Sequence, residues 1–315
     1  MPVRWLSSLL LVGVAAVSMA ADTPHATRGD TRVLRAGDGA LQIEVIGASD
    51  EARTAELHRW AAEAANAVLA AFGRFPLRSA TVFIEQQPSQ ARSPVPWGQT
   101  SRRDGVAVYL YVRENASFDE LRGDWTAVHE LAHLFHPYLG DDGRWLAEGL
   151  ASYYQNVLRA RVGLLDEAEA WRRLDAGFGR GRRESSGLPL DELSRRHRGT
   201  MRVYWAGAAY WLEADLALRR DGSSLDDVLE QYARCCLRST SEVRPERFAA
   251  QLDTIAGREV FAPLFRRYAR STEFPSLDAA YAALGIESSA DALQFAGRGD
   301  AARLRRAVMG RRATR

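Results

Sequence analysis

The sequence predicts an α+β protein in which a small N-terminal mixed sheet precedes a mainly helical body. Segments in which apolar residues alternate with polar ones occur in the first third of the chain. Apolar spacing of about 3.6 residues then continues almost to the end, which is typical of packed helices. The 315 residues are enough for one large domain, and we expect residues 22–315 to form a single one.

The strands are expected in the N-terminal part, about residues 31–116. Residues 33–47 are typical of a strand pair around a Gly-Asp-Gly turn, and alternation predicts strands at 79–85 and 106–112. An Ala-rich helix is predicted at 51–73, where the apolar spacing is helical and a glycine ends the pattern. A loop with prolines separates the last two strands.

The helical part is expected over about residues 117–285. Its apolar spacing predicts helices at about 117–136, 144–160, 164–175, 202–220, 224–236, 245–255, 258–270 and 277–283. The Gly- and Arg-rich stretch 176–200 is predicted to be mostly loop. The basic segment at about 298–315 is predicted to be a solvated tail or a last surface helix.

The composition excludes several kinds of chemistry and partner. The chain contains no lysine, so its 42 basic residues are all arginine, which excludes Schiff-base and Ser–Lys mechanisms. A net charge of +2 gives no strong field toward nucleic acid, and we expect no nucleic-acid partner. Nothing in the sequence indicates the oligomeric state.

The first residues are typical of a secretory signal peptide. Arg4 supplies a short positive region, Leu9 to Val17 form an apolar run, and Ala20 ends a small-residue cleavage site. We expect residues 1–21 to be removed and the product to be periplasmic or secreted. No later run has the length of a membrane span, so we expect none.

The two cysteines, Cys235 and Cys236, are neighbours in the sequence. Neighbouring Cα atoms lie about 3.8 Å apart, below the usual disulfide span of about 4.4–6.8 Å. We therefore favour two buried thiols in a helix, with a strained bridge or an intermolecular bond as the alternatives.

The segment "HELAHLFHPYLGDDGRWLAEGLASYY", residues 129–154, indicates a metal site. His129 and His133 are four apart on a predicted helix, so both imidazoles point off one face and can bind one Zn²⁺. Glu130 is turned away from that face, but its carboxylate can take a proton from a metal-bound water. The pattern is therefore typical of a hydrolytic zinc centre.

Glu148 is the candidate third ligand. It lies on a predicted amphipathic helix, in a stretch that is otherwise poor in charge, where a buried carboxylate needs a cationic partner. Gly149 beside it would allow a second helix to approach closely. Two histidines, one carboxylate and an open position describe a catalytic zinc site rather than a structural one.

Other residues could take the place of Glu148. His136 is seven residues after His129, but the proline that follows it disfavours helical geometry. Asp141 and Asp142, in the loop before the second helix, are further candidates for the third ligand.

Three motifs resemble the gluzincin metallopeptidases, most closely the catalytic domain of the glycyl aminopeptidase family. They are "VHELAHLF", "WLAEGLASYY" and "VYWAGAAYWLEADLALRRDGSSLDDVL", and the likeness covers about residues 105–235. The first two resemble that family's zinc helix and its Glu-Gly helix. The third resembles a later segment written Tyr-x-Lys-Gly-Ala.

The resemblance implies a thermolysin-like zincin catalytic domain with zinc ligands at His129, His133 and Glu148. It also implies that Glu130 activates the water and that Tyr204 stabilises the oxyanion. From chemistry alone, Tyr204 is one of ten tyrosines and would be read as a core aromatic.

The sequence departs from that family in two ways. The Lys of the third motif is Ala206 here, and the family's N-terminal β domain and C-terminal PDZ-like domain have no counterpart. In the same clan an edge strand before the zinc helix binds extended substrate, which makes Trp97 and Gln99 either cleft residues or ordinary loop anchors. An Arg cluster around residues 180–198 is read as a solvated loop or, near the cleft, as a site for a substrate carboxylate.

We therefore expect an exported zinc metallopeptidase that hydrolyses peptide or protein substrates by water activated by Glu130. The alternative is a periplasmic protein that retains zinc but only binds peptides or has a structural role. A third reading is a zinc hydrolase acting on cell-wall stem peptides.

Overall fold

The N-terminal part of the protein forms one mixed sheet. The computed structural model describes residues 29–103, 105–184, 187–238, 240–288 and 293–310. The five strands are β1 (Asp30–Ala36), β2 (Gly39–Ile46), β3 (Ser79–Gln87), β4 (Trp97–Ser101) and β5 (Ala107–Arg113). They lie in the order β1-β2-β3-β5-β4, with β2, β3 and β5 parallel and both edge strands antiparallel to their neighbours. The predicted mixed sheet is confirmed.

Helices form the remainder, as the periodicity predicted. They are α1 (Glu51–Phe72), α2 (Phe118–Gly123), α3 (Thr126–Ala132), α4 (Arg144–Arg161), α5 (Glu167–Arg183), α6 (Leu190–Arg195), α7 (Thr200–Arg220), α8 (Leu225–Cys235), α9 (Pro245–Ala256), α10 (Phe261–Ala269), α11 (Asp278–Leu284) and α12 (Asp300–Met309). A short hairpin of β6 (Ile286–Ser288) and β7 (Leu293–Phe295) was not predicted. The basic end of the chain is helical up to Met309, whose side chain is buried.

The continuous helix predicted at 117–136 is wrong. Ser117 and Glu120 form a capping box that begins α2, and the backbone is extended at Asp124. The Asp124 carboxylate accepts a hydrogen bond from the backbone N–H of Thr126, where α3 begins. α3 then tightens into a 3-10 turn at His133–Phe135, because the residue before Pro137 is extended. The segment from His129 to His133 therefore begins on a helix of seven residues and ends at the first residue of the 3-10 turn.

The loop predicted before residue 106 contains the edge strand β4. Its residues are mostly small or polar and do not alternate, so the pattern carried no strand signal. β4 pairs with β5 and crosses α3 closely. A Cβ on Gly98 would lie 2.8 Å from Glu130 Cγ and 2.8 Å from Thr126 Cγ2, so only glycine fits there.

The helix predicted at 164–175 continues to Arg183, and α6 forms at Leu190–Arg195, so the prediction that 176–200 is mostly loop is wrong. The glycines serve packing between α5 and α7. A Cβ on Gly177 would lie 2.2 Å from the Trp205 ring, and one on Gly181 would lie 3.0 Å from Trp205 Cβ. The cost of glycine in a helix, about 1 kcal/mol each, is offset here by a close approach that any side chain would block.

α4 and α7 cross in direct backbone contact. A Cβ on Gly149 would lie 2.3 Å from the carbonyl carbon of Gly207, and one on Gly207 would lie 2.0 Å from the carbonyl oxygen of Trp145. The expectation that Gly149 allows a second helix to approach is confirmed. This crossing brings Tyr204, one turn before Gly207, toward Glu148.

The two cysteines form a disulfide with each other at the end of α8, so the thiols favoured from the sequence are wrong. Cys235 is exposed and Cys236 is half-buried, so neither is a core thiol. The strained bridge was the alternative weighed against them. Its two Cα atoms lie 3.7 Å apart, the separation of any two neighbouring residues in a trans chain.

No helix within the described ranges is long and apolar enough to cross a membrane. The signal peptide expected at residues 1–21 lies outside the described residues.

Candidate metal centre

The structure brings together the three side chains predicted to bind a metal. His129 lies on α3, His133 is the first residue of the 3-10 turn, and Glu148 lies on α4. Glu148 Oε2 is 3.2 Å from His129 Nε2 and 3.7 Å from His133 Nε2. Ligand atoms of all three lie within 4.8 Å of one another, the one such group of histidine, cysteine and carboxylate side chains in the described residues.

These separations fit a tetrahedral zinc ion. Bonds of about 2.0–2.2 Å at tetrahedral angles place ligand atoms about 3.4 Å apart, within the observed spread of carboxylate-to-imidazole distances. His133 ends α3 but keeps helical backbone angles of φ −63° and ψ −14°. The spacing of four residues therefore keeps both rings on one side although the helix tightens there.

A chain of hydrogen bonds fixes which nitrogen of His133 is free. His136 Nδ1 is 2.7 Å from the carbonyl oxygen of Pro137, which can only accept, so that nitrogen carries the proton. The Nε2 of a neutral His136 then accepts from His133 Nδ1 at 2.9 Å. The remaining nitrogen of His133, Nε2, is left with its lone pair toward Glu148, as a metal ligand requires.

His129 is oriented in the same way by a different partner. Its Nδ1 donates to Gln155 Oε1 at 2.8 Å, which directs Nε2 toward Glu148 Oε2 at 3.2 Å, so a metal bound there would take the place of the proton that Nε2 shares with Glu148. Gln155 is two helical turns after Glu148 on α4. One helix therefore provides both a ligand and the group that orients a second ligand.

The charges of the site favour a cation. Burial raises the pKa of Glu148, but the hydrogen bond from His129 and the nearby histidines outweigh it and lower the pKa to about 2. Burial lowers the pKa of His133 to about 4, although Glu148 opposes the shift. A buried carboxylate that stays ionised beside a neutral imidazole lone pair is a donor set that suits a divalent metal.

Glu130 lies on the side of α3 that faces β4. The Thr100 hydroxyl is 2.8 Å from the Glu130 carbonyl oxygen and 3.1 Å from Glu130 Oε2. Burial raises the pKa of the Glu130 carboxyl to about 7, although the charge of His129 opposes the shift. A carboxylate poised near neutral pH is a suitable general base.

Tyr204 also reaches the cluster. Its ring stacks on the His129 ring with centroids 5.9 Å apart, and its phenol is close enough to Glu148 for the two groups to interact electrostatically. Burial and the Glu148 charge raise the pKa of Tyr204, so the phenol keeps its proton. The Arg144 guanidinium lies 5.6 Å from the centre of the same ring.

The alternative third ligands lie elsewhere. His136 supports His133 and is outside the cluster of ligand atoms. Asp141 Oδ1 is 3.0 Å from His197 Nε2, and Asp142 Oδ1 is 3.5 Å from Arg195. Both aspartates therefore have basic partners of their own, which leaves Glu148 as the carboxylate at the histidines.

Sequence reasoning missed the groups that orient the ligands. Gln155 could have been found, because a spacing of seven residues from Glu148 places it on the same helix face. Thr100 and Arg102 could not, since both belong to a segment read as loop. Arg102 donates to the carbonyl oxygens of His133 and His136 at 2.9 and 2.6 Å.

Comparison with known proteins agrees with this geometry. No family model matches the sequence, and no curated protein matches it. An aminopeptidase N family protein from Idiomarina loihiensis matches in structure with a TM-score of 0.61 and 16% identity, over 82% of this chain and 49% of that one. The chain has the fold of the M1 zinc metallopeptidases.

Two further structures support that assignment of the fold. A two-domain M1 zinc metallopeptidase mutant bound to L-arginine matches with a TM-score of 0.51 and 17% identity, over 79% of this chain and 53% of that one. A mutant M1 zinc metallopeptidase from Deinococcus radiodurans, bound to a Tyr-Ser-Ala substrate, matches with a TM-score of 0.50, 16% identity and the same coverage. The chain thus spans about half the length of these M1 structures. The resemblance to gluzincins is confirmed at the level of the fold.

Proposed function

We propose that residues 22–315 form an exported zinc metallopeptidase domain that hydrolyses peptide bonds. The observation that carries the proposal is the convergence of His129, His133 and Glu148 with Glu130 and Tyr204 beside them. The structural neighbours are M1 zinc metallopeptidases, and one of them has a bound peptide substrate, which supports a peptide substrate for this chain as well.

The roles of the residues follow from their surroundings. His129, His133 and Glu148 would hold a zinc ion, which would supply a Lewis acid able to polarise a carbonyl and lower the pKa of water. Glu130 takes the proton of the attacking water and passes it to the leaving amine, a transfer that suits a carboxyl with a pKa of about 7. Tyr204 retains its proton and donates to the developing oxyanion.

The edge strand β4 supplies the place for an extended substrate. One side of β4 pairs with β5, and its other side offers backbone groups to a peptide strand. Thr100 and Gly98 hold the strand against Glu130, so a peptide added there lies beside the base. Trp97 and Gln99 are exposed on this strand and would border the peptide.

The non-catalytic alternative is not favoured. A protein that only binds peptides has no need of a carboxylate and a phenol placed beside the three ligand side chains, and this chain has Glu130 and Tyr204 there. Ala206, which stands where the resembling family has Lys, is fully buried on α7 and does not disturb Tyr204 or Glu148.

A library experiment tests the proposal. Mature protein, the same protein treated with a chelator, and chelated protein resupplied with zinc are incubated with mixed peptides whose N-termini are free or acetylated. Mass spectrometry should show cleavage that chelation abolishes and zinc restores. Cleavage restricted to free amines would establish an exopeptidase, and an intact library in all three samples would overturn the proposal.

Export is tested separately. If residues 1–21 are removed on export, the mature chain begins near residue 22. N-terminal sequencing of protein from the periplasm or medium should find this N-terminus. Recovery of the full chain from the cytoplasm alone would contradict export.

A further inference from the structure

A cavity of about 280 Å³ opens beside the metal centre, between α4, α5 and α7. It shares Gln155 and Tyr204 with that centre, and Trp125 is one turn before His129 on the same side. This volume is below the range of about 300–1,000 Å³ typical of small-molecule pockets, so the cavity suits one side chain rather than a whole ligand.

Arg180 lines this cavity, and it has no acidic partner among the described residues. Its guanidinium lies 4.9 Å from the centre of the Trp205 ring, and no carboxylate among the described residues pairs with it. The other lining arginine, Arg173, already donates to Glu169 at 2.7 Å. No acidic residue lines the cavity within the described part of the chain, so its charge is positive.

Gln155 adds a directed donor. Its side chain is only 7% exposed, and its Oε1 is engaged by His129 Nδ1. The amide nitrogen is thereby turned toward the cavity, and it has no hydrogen-bond partner among the described residues. This N–H₂ group is open to the cavity, and a carboxylate there would accept a stronger, charge-assisted hydrogen bond from it than water does.

The walls between these two donors are apolar. Trp205 and Trp125 provide aromatic surface, and Met201 and Ala176 provide aliphatic surface. Trp205 is fixed by Gly177 and Gly181, so the platform under Arg180 is rigid. The matching ligand has a short apolar stem and a carboxylate at its end.

We propose that this cavity is a subsite for a carboxylate next to the scissile bond, in which Arg180 and the Gln155 amide bind the carboxylate oxygens. The inference rests on the proposed peptidase function and names its substrate class, peptides with a carboxylate at that position. The carboxylate is that of a glutamate side chain or that of the peptide C-terminus, and the two differ in the experiment.

Binding can be measured without turnover. Zinc-loaded Glu130→Gln protein is titrated calorimetrically with C-terminally amidated hexapeptides in which one Glu is moved through each position. The neutral control for each peptide has Gln at the same position. A second arm uses the Gln peptide with a free C-terminal carboxylate. We expect one Glu position, or the free acid, to bind about tenfold more tightly than its neutral match.

Substitutions in α5 test whether Arg180 causes the preference for the carboxylate. Arg180→Gln in the same background should abolish the preference for the carboxylate, and Arg180→Glu should prefer peptides with Arg at that position. Arg183→Gln removes the same charge one turn later, outside the cavity lining, and should keep the preference. Arg180→Gln and Arg183→Gln acting alike, or a preference that survives Arg180→Gln, would overturn the proposal.

The two proposals fail in different ways. Equal affinity for Glu, Gln and free-acid peptides, or no binding of any peptide, overturns the subsite whatever the wild-type protein cleaves. Selective binding that depends on Arg180, with no cleavage by wild type, supports the subsite and overturns the peptidase.

Discussion

The two helices that provide metal ligands are held in place by different forces. α4 has 18 residues and lies against α7 in backbone contact at Gly149 and Gly207. α3 has seven residues, and its C-terminal end is held by hydrogen bonds from Arg102 to the carbonyl oxygens of His133 and His136. α4 is located by backbone contact with α7, whereas α3 combines the burial of all seven of its residues with polar contacts at its C-terminal end.

The difference indicates what each helix contributes to the site. Close-packed backbone cannot yield to an added atom, so α4 and α7 determine where Glu148 and Tyr204 meet. A single hydrogen bond contributes about 0.5–1.5 kcal/mol, so those around α3 adjust how the imidazoles are turned. We expect changes at the α4–α7 contact to affect folding, and changes to the groups that orient the imidazoles to affect metal affinity.

The largest expected effect is loss of the metal when a ligand is removed from either helix. His133→Ala and Glu148→Ala each leave two ligands, too few for a stable zinc site. Zinc per chain, measured by elemental analysis after dialysis, should fall from about one to near zero. Asp142→Asn, which changes the aspartate paired with Arg195, should keep its zinc. Full zinc in Glu148→Ala would reject the assigned ligand set.

Tyr204→Phe should next reduce turnover while zinc remains. Loss of one hydrogen bond to a developing oxyanion typically lowers kcat by about 10²–10³-fold, or about 2.7–4 kcal/mol. Steady-state kinetics should show the loss in kcat with KM little changed. A loss of zinc together with activity would instead show that Tyr204 supports Glu148, with which it interacts electrostatically.

Gly207→Ala should destabilise the α4–α7 contact strongly. The new Cβ would lie 2.0 Å from the Trp145 carbonyl oxygen, so the helices must separate. We expect a loss of about 3 kcal/mol in the free energy of unfolding, measured by urea denaturation. Gly123→Ala is the matched control, because a Cβ there meets no atom within 4 Å. Equal stability of both variants would contradict a contact of this closeness.

Replacements of the groups that orient the ligand imidazoles should have smaller effects that appear in metal affinity. His136→Ala and Gln155→Ala each remove the acceptor that orients one ligand imidazole, which typically lowers metal affinity by about 10–100-fold. Competition with a chelator of known affinity measures it. Gln155→Glu keeps an acceptor for His129 Nδ1 and should retain tight binding. Affinity unchanged in both alanine variants would show that the rings need no such support.

The same difference explains what the sequence could predict. His129, His133 and Glu148 come from helices with clear periodicity, so their spacing alone placed them on faces that meet. The mixed sheet was predictable because β2, β3 and β5 are apolar and alternate.

The parts that were missed depend on contacts between distant segments. β4 is polar and became a strand by pairing with β5 and crossing α3 at Gly98. The glycines of α5 were predicted to form a loop, because the sequence pattern does not show that the Trp205 ring of α7 packs on them. Periodicity alone predicted one continuous helix. The structure instead has the capped helix α2, then α3, then the 3-10 turn that begins at His133. The local sequence pattern contains no information on these tertiary contacts.

The most direct test measures zinc and turnover in one preparation of Glu130→Gln. Glu130 faces β4 and is not among the ligand atoms, so the variant should bind zinc as wild type does. Without the carboxylate that takes the proton, peptide cleavage should fall by about 10²–10⁴-fold. Full zinc with lost cleavage is the result that the account predicts. Cleavage at the wild-type rate in the zinc-loaded variant would contradict it.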